Sequence, residues 1–190
     1  MISSFNSSVY SSFYIKVDKT SIYIKSFEND SWIRCSTAFE VNIDKKYQIV
    51  RLFDLSSQNT EVNLFPVSGL TKKVNPFNHP RLIYHNFEYA EMFIRFLIKQ
   101  LTKRWWKTMN CIIFQLGYNP NGGLTDVESK MLADSLEHCG AKQCYIVNPC
   151  YELTEKQIEE LYSEINSSRI KKVIKLSQKS QEKLSWPFAL

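Results

Sequence analysis

The sequence predicts an α/β fold built on a mixed β-sheet, with N-terminal hairpins followed by βα units. The first third of the chain is rich in β-branched and aromatic residues that are separated by short turns. The second half alternates amphipathic helical patterns with short apolar runs, which is typical of strands covered by helices on both sheet faces. A chain of 190 residues is long enough for one such domain with its own core.

The N-terminal part of the chain is predicted to be a flexible segment followed by a hairpin. Residues 1–12 contain six serines, which favours a flexible terminus. Residues 13–17 and 21–27 are β-branched and aromatic, and Asp18 to Thr20 between them make a short turn. We expect this hairpin at the centre of the sheet, with later strands parallel to its first strand.

Residues 32–53 keep a strand-like pattern, whereas residues 54–80 do not. Residues 32–41 and 47–53 predict two more strands because they are again β-branched and aromatic. Residues 54–80 carry Ser, Asn and three prolines, which indicates an irregular insertion or a reduced small subdomain.

A strongly amphipathic helix and a buried strand follow. Asn86 is a good N-cap, and apolar residues then recur at helical spacing, which predicts a helix over 86–103. Residues 110–116 form a nearly continuous apolar run, which predicts a strand buried on both faces. Both helices of this half should cover the sheet.

The second helix has clear start and stop signals. Thr125 with Glu128 predicts a capping box, and Gly140 is suited to end the helix at 139. The short apolar run 143–147 predicts the next strand. The helix face that should be apolar carries Val127, Met131, Leu132, Ser135 and Leu136.

The last part of the chain predicts one helix, one strand and a tail. Thr154 caps a helix through about residue 165, and residues 169–176 favour a last strand. The domain is therefore expected to span 13–176, with 177–190 as a C-terminal tail. That tail is apolar for an exposed end.

Composition excludes several classes of protein. The net charge of +5 is mild, and the basic residues are mostly spread along the chain, so no nucleic-acid partner is expected. Five cysteines, an odd number, with no secretory pattern before them favour a reducing cytoplasm. No apolar run approaches the ~20 residues that span a bilayer.

Three local features raise other possibilities. His138 with Cys139, Cys144 and Cys150 does not match the spacing of a zinc knuckle, and buried thiols are the better interpretation. The glycine loop 119–123 precedes a helix but lacks the Lys-Ser/Thr pair of a phosphate loop, so we expect a plain connection there.

Trp105 and Trp106 stand between basic residues. One tryptophan packing on the sheet edge is the plainest interpretation of the pair, and a protein contact comes next. Stacking on nucleic-acid bases and weak membrane association stay open as further alternatives.

The ordered series of elements resembles the first large subdomain of the MreB family, bacterial actin-like rod-shape proteins of the actin and sugar-kinase superfamily. The resemblance covers about residues 12–150 and is best over 86–148. It implies an actin-like, ribonuclease H-like subdomain. The positions that match the family pattern in register are Thr125, Val127, Glu128, Gly140 and Ala141.

The departures from the family pattern determine the expected function. The family carries Asp-apolar-Gly-Thr in its first hairpin for phosphate and metal, and the matching positions here are Tyr14, Ile15, Lys16 and Val17. A water-positioning Glu is replaced by Asn148. The resemblance therefore implies no catalysis, no cofactor and no metal, because phosphoryl transfer depends on positioned charge and metal.

What remains is a non-catalytic module that binds protein, tied to the cell-shape cytoskeleton or to a secretion or pilus scaffold. The expected partner is a second copy or a full-length actin-like filament protein. Contacts are expected through Trp105 and Trp106, with Trp186 and Phe188 in the tail. A residual nucleotide-binding ATPase fragment and a weakly basic nucleic-acid-binding module stay open as alternatives.

Overall fold

A computed structural model describes residues 10–44, 48–53, 61–65, 69–79, 82–102, 108–147, 152–167 and 174–175. The strands are β1 (Tyr10–Val17), β2 (Ser21–Ser26), β3 (Trp32–Ser36), β4 (Phe39–Asn42), β5 (Gln48–Phe53), β6 (Glu61–Asn63), β7 (Thr71–Val74), β8 (Thr108–Leu116), β9 (Gln143–Val147) and β10 (Ile174–Lys175). The helices are α1 (Phe87–Leu101), α2 (Asp126–His138) and α3 (Glu155–Ser167).

The main sheet has six strands in the order β10-β9-β8-β1-β2-β3. β1 and β2 form an antiparallel hairpin, β8 lies parallel to β1, and β9 lies parallel to β8. The predicted mixed sheet with a central hairpin is therefore confirmed. β1 begins at Tyr10, so residues 10–12 belong to the sheet and not to the flexible segment predicted over 1–12. Ser11 and Ser12 are buried there.

All three predicted helix caps form, including Thr154, whose hydroxyl accepts from the Gln157 amide at 3.4 Å. Asn86 accepts a hydrogen bond from the Tyr89 amide at 3.0 Å, and α1 ends at Leu101 rather than at the predicted residue 103. Thr125 and Glu128 form the predicted capping box of α2. Gly140 follows α2 with φ at 106°, a left-handed conformation that favours glycine.

The predicted buried face of α2 is wrong at two residues. Val127 is 71% exposed and Met131 is 47% exposed, whereas Leu132 and Leu136 are buried. At about 100° per residue, the nine positions from Val127 to Leu136 place the two side chains on opposite sides of the helix. The helix therefore buries the face centred on Leu132, Leu136 and Ala133.

A second sheet of four strands, in the order β6-β5-β4-β7, corrects two sequence predictions. The single strand predicted over 32–41 breaks after Ser36, because the Ser36 hydroxyl accepts from the Ala38 amide at 3.1 Å and β4 then joins the second sheet. Residues 61–63 and 71–74, in the stretch predicted to be an irregular insertion or a reduced small subdomain, are β6 and β7. They pair with β5 and β4.

The core lies on both faces of the main sheet. Ile15 and Val17 of β1 point to the face that α1 and α2 cover, and this cluster continues into the second sheet through Phe39, which stacks on Phe93 of α1 at 4.3 Å. Tyr14 points to the opposite face, which α3 covers through Ile158, Leu161 and Ile165. No helix within the described residues is long and apolar enough to cross a bilayer.

Candidate functional site

The turn between β1 and β2 is held closed by the chain itself. The Asp18 amide donates to the Ser21 carbonyl at 2.7 Å. The Lys19 carbonyl accepts from the Thr37 hydroxyl at 2.8 Å and from the Asn75 side-chain amide at 3.2 Å. These bonds attach the turn to the segments on either side of the second sheet, β3–β4 and the residues after β7.

Tyr14 is a buried side chain with a partner of its own. It is 2% exposed, and its hydroxyl donates to Gln115 Oε1 at 2.5 Å. Burial raises the pKa of the Tyr14 hydroxyl far above its ordinary value. A neutral phenol that is already hydrogen-bonded to the neighbouring strand offers neither the charge nor the open oxygen that a magnesium ion needs.

Lys16 reaches across the sheet face to the residues that precede α3. Its ammonium lies 2.8 Å from Glu152 Oε1. The hydrogen bond from Lys16, followed by its charge, lowers the pKa of the Glu152 carboxyl. The cation at this position therefore has a carboxylate of the same chain as its partner.

Ile15 and Val17 belong to the other face. Both side chains are 0% exposed in the core beneath α1 and α2. The Val17 carbonyl accepts from the Gly117 amide at 2.8 Å, which joins the end of β1 to the end of β8. Position 17 supplies no hydroxyl. Position 16 carries a long side chain where the family pattern has a glycine, the residue that lets a ligand approach the backbone most closely.

A cleft of ≈ 640 Å³ opens beside this turn on the α3 face. Tyr23 and Trp32 form its aromatic wall, with ring centres 6.1 Å apart. Its lining holds three cations and four carboxylates: Lys16, Lys25, Arg34, Asp18, Asp30, Glu152 and Glu155. Two of the cations are already paired. Lys16 pairs with Glu152 as described above, and Lys25 lies 3.0 Å from Asp30 and 3.4 Å from Glu159.

Comparison with known proteins decides the fold. No protein-family model matches the chain, and no curated protein sequence is significantly similar to it. The crystal structure of MreB5 of Spiroplasma citri bound to AMPPNP matches 72% of this chain with a TM-score of 0.52 at 12% identity. The ADP-bound form of that protein gives a TM-score of 0.51 at 12% identity, again over 72% of this chain.

The fold is actin-like. The chain spans 38% and 37% of the two MreB5 chains, so it corresponds to a part of them. A non-polymerising A278D mutant of MamK bound to AMPPNP also aligns, at 7% identity over 71% of this chain and 40% of its own, with a TM-score of 0.49. The predicted actin-like subdomain, built from a mixed sheet and flanking helices, is confirmed.

Within this actin-like fold, several predicted site residues lie outside the described residues. They are Asn148, at the water-positioning place of the family pattern, together with Trp105, Trp106, Trp186, Phe188 and Cys150. Their predicted roles stay predictions.

Cys139 and Cys144, which were expected to be buried thiols rather than zinc ligands, have separate surroundings. Cys139 Sγ donates to the Glu91 carbonyl at 3.6 Å, and Cys144 Sγ donates to the Ala133 carbonyl at 3.8 Å. Burial raises the pKa of Cys139 to about 11 and of Cys144 to about 12, which disfavours the thiolate that a metal or a nucleophilic reaction requires. The described residues hold no group of three or more metal-binding side chains.

The glycine loop before α2 leads to a helix end that is already satisfied. Gly122 and Gly123 have φ of 86° and 75°. At the N-terminus of α2 the Thr125 amide donates to Glu128 Oε2 at 3.0 Å, and the Glu128 amide donates to the Thr125 hydroxyl at 3.3 Å. The carboxylate of Glu128 thus occupies the place where a phosphate would be attracted.

The sequence points to positions 14 and 16 but not to the partners of their side chains. Glu152 lies 136 residues from Lys16, and Gln115 lies 101 residues from Tyr14. The parallel pairing of β1 with β8 brings Gln115 to Tyr14, and the path of the chain into α3 brings Glu152 to Lys16. Neither arrangement produces a periodic pattern in a single sequence. The exposed Trp32, at 61%, was likewise expected only as part of a strand.

Proposed function

We propose that this chain is a non-catalytic, actin-like protein-binding module of the cytoplasm that serves a cell-shape cytoskeleton or a secretion or pilus scaffold. The observation that carries the proposal is the first hairpin. Where the family pattern has a carboxylate and a glycine, this chain has a buried Tyr14 bonded to Gln115 and a Lys16 paired with Glu152.

The charge around the hairpin supports the loss of nucleotide chemistry. The adjoining cleft has one more carboxylate than it has cations, and Lys16 and Lys25 are held in ion pairs. A triphosphate entering it would have to displace those carboxylates or be repelled by them. Actin-like ATPases bind phosphate with backbone amides near a glycine, whereas the matching position of this chain carries the long side chain of Lys16.

A nucleotide-binding measurement tests the proposal. The melting temperature of the full chain should not change when ATP and magnesium are added at millimolar concentration. A ligand at ~100 times its dissociation constant would stabilise the folded state by ~2.7 kcal/mol, a shift of several degrees for a chain of this size. A reproducible magnesium-dependent shift of that size would favour the residual ATPase fragment instead, and an intact actin-like ATPase serves as positive control.

A second measurement addresses the partner class. Binding to a full-length actin-like filament protein, measured by co-sedimentation, should change little between low and moderate salt, because apolar contacts are weakly screened. Replacing Trp105 and Trp106 by alanine should weaken it. If the parent chain ignored filaments yet bound single-stranded nucleic acid with a steep salt dependence, the nucleic-acid alternative would replace this proposal.

A further inference from the structure

The outward face of α1 carries opposite charges at its two ends. Glu88 and Lys99 are eleven residues apart, which is three helical turns plus about 20°, so both lie on one line along the helix about 16 Å apart. Both side chains are exposed. Met92 and Arg95 lie between them on the same line.

A groove with both apolar and charged walls runs along this line, and Glu88, Arg95 and Lys99 are part of its lining. A cleft of ≈ 460 Å³ separates the outward face of α1 from the second sheet. Phe96 and Met92 of α1 line one side, and Ile49 of β5 with Phe65 line the other. Phe65 is 45% exposed, so the groove presents an aromatic ring to solvent.

The inner charges of α1 are already occupied, whereas the outer two are not. Glu91 lies 2.9 Å from His138 Nδ1, and Arg95 donates to the His138 carbonyl at 2.6 Å, so this central pair ties α1 to α2. Glu88 and Lys99 make no ion pair with any other residue that the structure describes. The Arg95 guanidinium keeps its positive charge, but its bond to the His138 carbonyl directs it toward α2. Within the described part of the chain, the two ends of the line therefore carry one unpaired negative charge at the start of α1 and one unpaired positive charge at its end.

We propose that a second copy of this chain binds α1 in antiparallel orientation, about a two-fold axis near the middle of the helix. That arrangement places Glu88 of each protomer opposite Lys99 of the other, with Met92 and Phe96 at the centre. A two-fold contact requires a surface that is complementary to itself, and this line of charges meets that condition. Parallel pairing would bring like charges together.

The expected dimer is weak. α1 is 15 residues and about 22 Å long, so a contact centred on it is small beside the ~800 Å² per partner of a stable interface. We expect dissociation constants of roughly 10–100 μM. The inference rests on the proposed protein-binding function and names its partner.

The test is a charge exchange followed by sedimentation analysis of the full chain from ~5 to ~500 μM. Glu88→Lys and Lys99→Glu, each alone, should weaken dimerisation about tenfold or more, because each creates two like-charge contacts across the axis. An equimolar mixture of the two variants should restore dimers, since both opposite-charge contacts then form between unlike chains. Glu137→Lys, the same charge change at an exposed position of α2, should have no effect.

Three outcomes would overturn the inference: a monomeric parent chain throughout the concentration range, a dimer that ignores both single changes, or a mixture that fails to recover. Thermal melts of each variant confirm that it is folded. A monomeric chain that also ignores nucleotide overturns this dimer alone. A rise of the melting temperature with magnesium and ATP overturns the proposed function, and the charge-exchange experiment can still be interpreted on its own.

Discussion

The two faces of the six-stranded sheet are built differently. On the face under α1 and α2, the sheet side chains are apolar and form one cluster that extends into the second sheet. On the α3 face, a smaller cluster gives way at β2 and β3 to Lys25, Trp32 and Arg34. The first face stabilises the fold through its larger apolar cluster. On the second face, ion pairs between residues far apart in the chain join the sheet to α3 and to the residues before it.

This difference divides the four positions that the resemblance matches to the family's phosphate pattern between two environments. Ile15 and Val17 have become part of the large core, whereas Tyr14 and Lys16 are held by polar partners on the other face. Because neighbours along a strand point to opposite faces, substitutions across these four positions would affect both faces of the sheet. The contrast between the faces can be tested by the size of four mutational effects.

The largest effect should come from the face under α1. Leu97 is 0% exposed, so Leu97→Asp buries an unpaired charge and should abolish cooperative folding. Leu97→Ala should cost about 2–5 kcal/mol in urea unfolding, and Leu161→Ala on α3 less, because the smaller cluster can collapse around the hole more easily. A folded Leu97→Asp variant with unchanged stability would mean that α1 does not face this core.

Alkaline pH should reveal the buried thiols of both faces. Burial raises the pKa of Cys111 and Cys144 to about 12 from an ordinary value of 9.0. The unfolded chain therefore loses these protons near pH 9 while the folded chain keeps them, so stability is intact below pH 9 and falls as pH rises toward 12. The loss should be about 1 kcal/mol per thiol at pH 10.

The matched variants for this pH effect are Cys144→Ala, under α2, and Cys111→Ala, on the α3 face. Urea unfolding at pH 8 and pH 10 should show that each removes a similar share of the pH dependence. If the two variants remove equal shares of the pH dependence, the two faces bury their central thiols equally well. The faces then differ at β2 and β3 rather than at the centre of the sheet. If stability fell with pH as steeply in both variants as in the parent chain, the alkaline loss of stability would not come from Cys111 and Cys144.

Tyr14→Phe measures the polar part of the α3 face. It removes the hydroxyl that donates to the buried Gln115, and should cost about 1–2 kcal/mol. Tyr162→Phe is the control, since it keeps the ring that stacks on Phe27 at 4.0 Å and should stay within about 0.5 kcal/mol of the parent chain. Equal costs for both changes would show that the Tyr14 hydroxyl bond contributes little.

The smallest effect belongs to the ion pair that links β2 to α3. A double-mutant cycle with Lys25→Met and Glu159→Gln should give a coupling energy of about 0.2–1 kcal/mol, because Glu159 is largely exposed. The coupling should shrink as salt rises from 0.05 M to 0.5 M. A coupling that ignored salt would indicate that packing of the Lys25 stem, rather than its charge, joins the two elements.

How much could be predicted from the sequence also differs between regions. The strands at 13–17, 21–27 and 110–116 and the caps at Asn86 and Thr125 were predicted, because period and capping are local signals. The second sheet was largely missed, since β6 and β7 are short and polar and gain their order from β5 and β4. The orientation of α2 was misjudged at Val127 for a similar reason: packing, not composition, chose the buried side.

The candidate site, too, was predictable where the signal is local and unpredictable where packing decides. The altered identities at Tyr14 and Lys16 were readable from the resemblance alone. The partners of these two side chains were not, because Glu152 and Gln115 reach the hairpin only through the register of β8 and the position of α3.

The contact between the ends of β1 and β8 has a consequence for how this sequence can vary. A Cβ atom placed on Gly117 would lie 1.9 Å from Asp18 Oδ1, far inside van der Waals contact. Gly117 and Asp18 are therefore not independent: an alanine at position 117 requires the carboxylate at 18 to be shortened or turned away. In a mutational library the two positions should show strong epistasis, with Gly117→Ala poorly tolerated alone and rescued by Asp18→Gly.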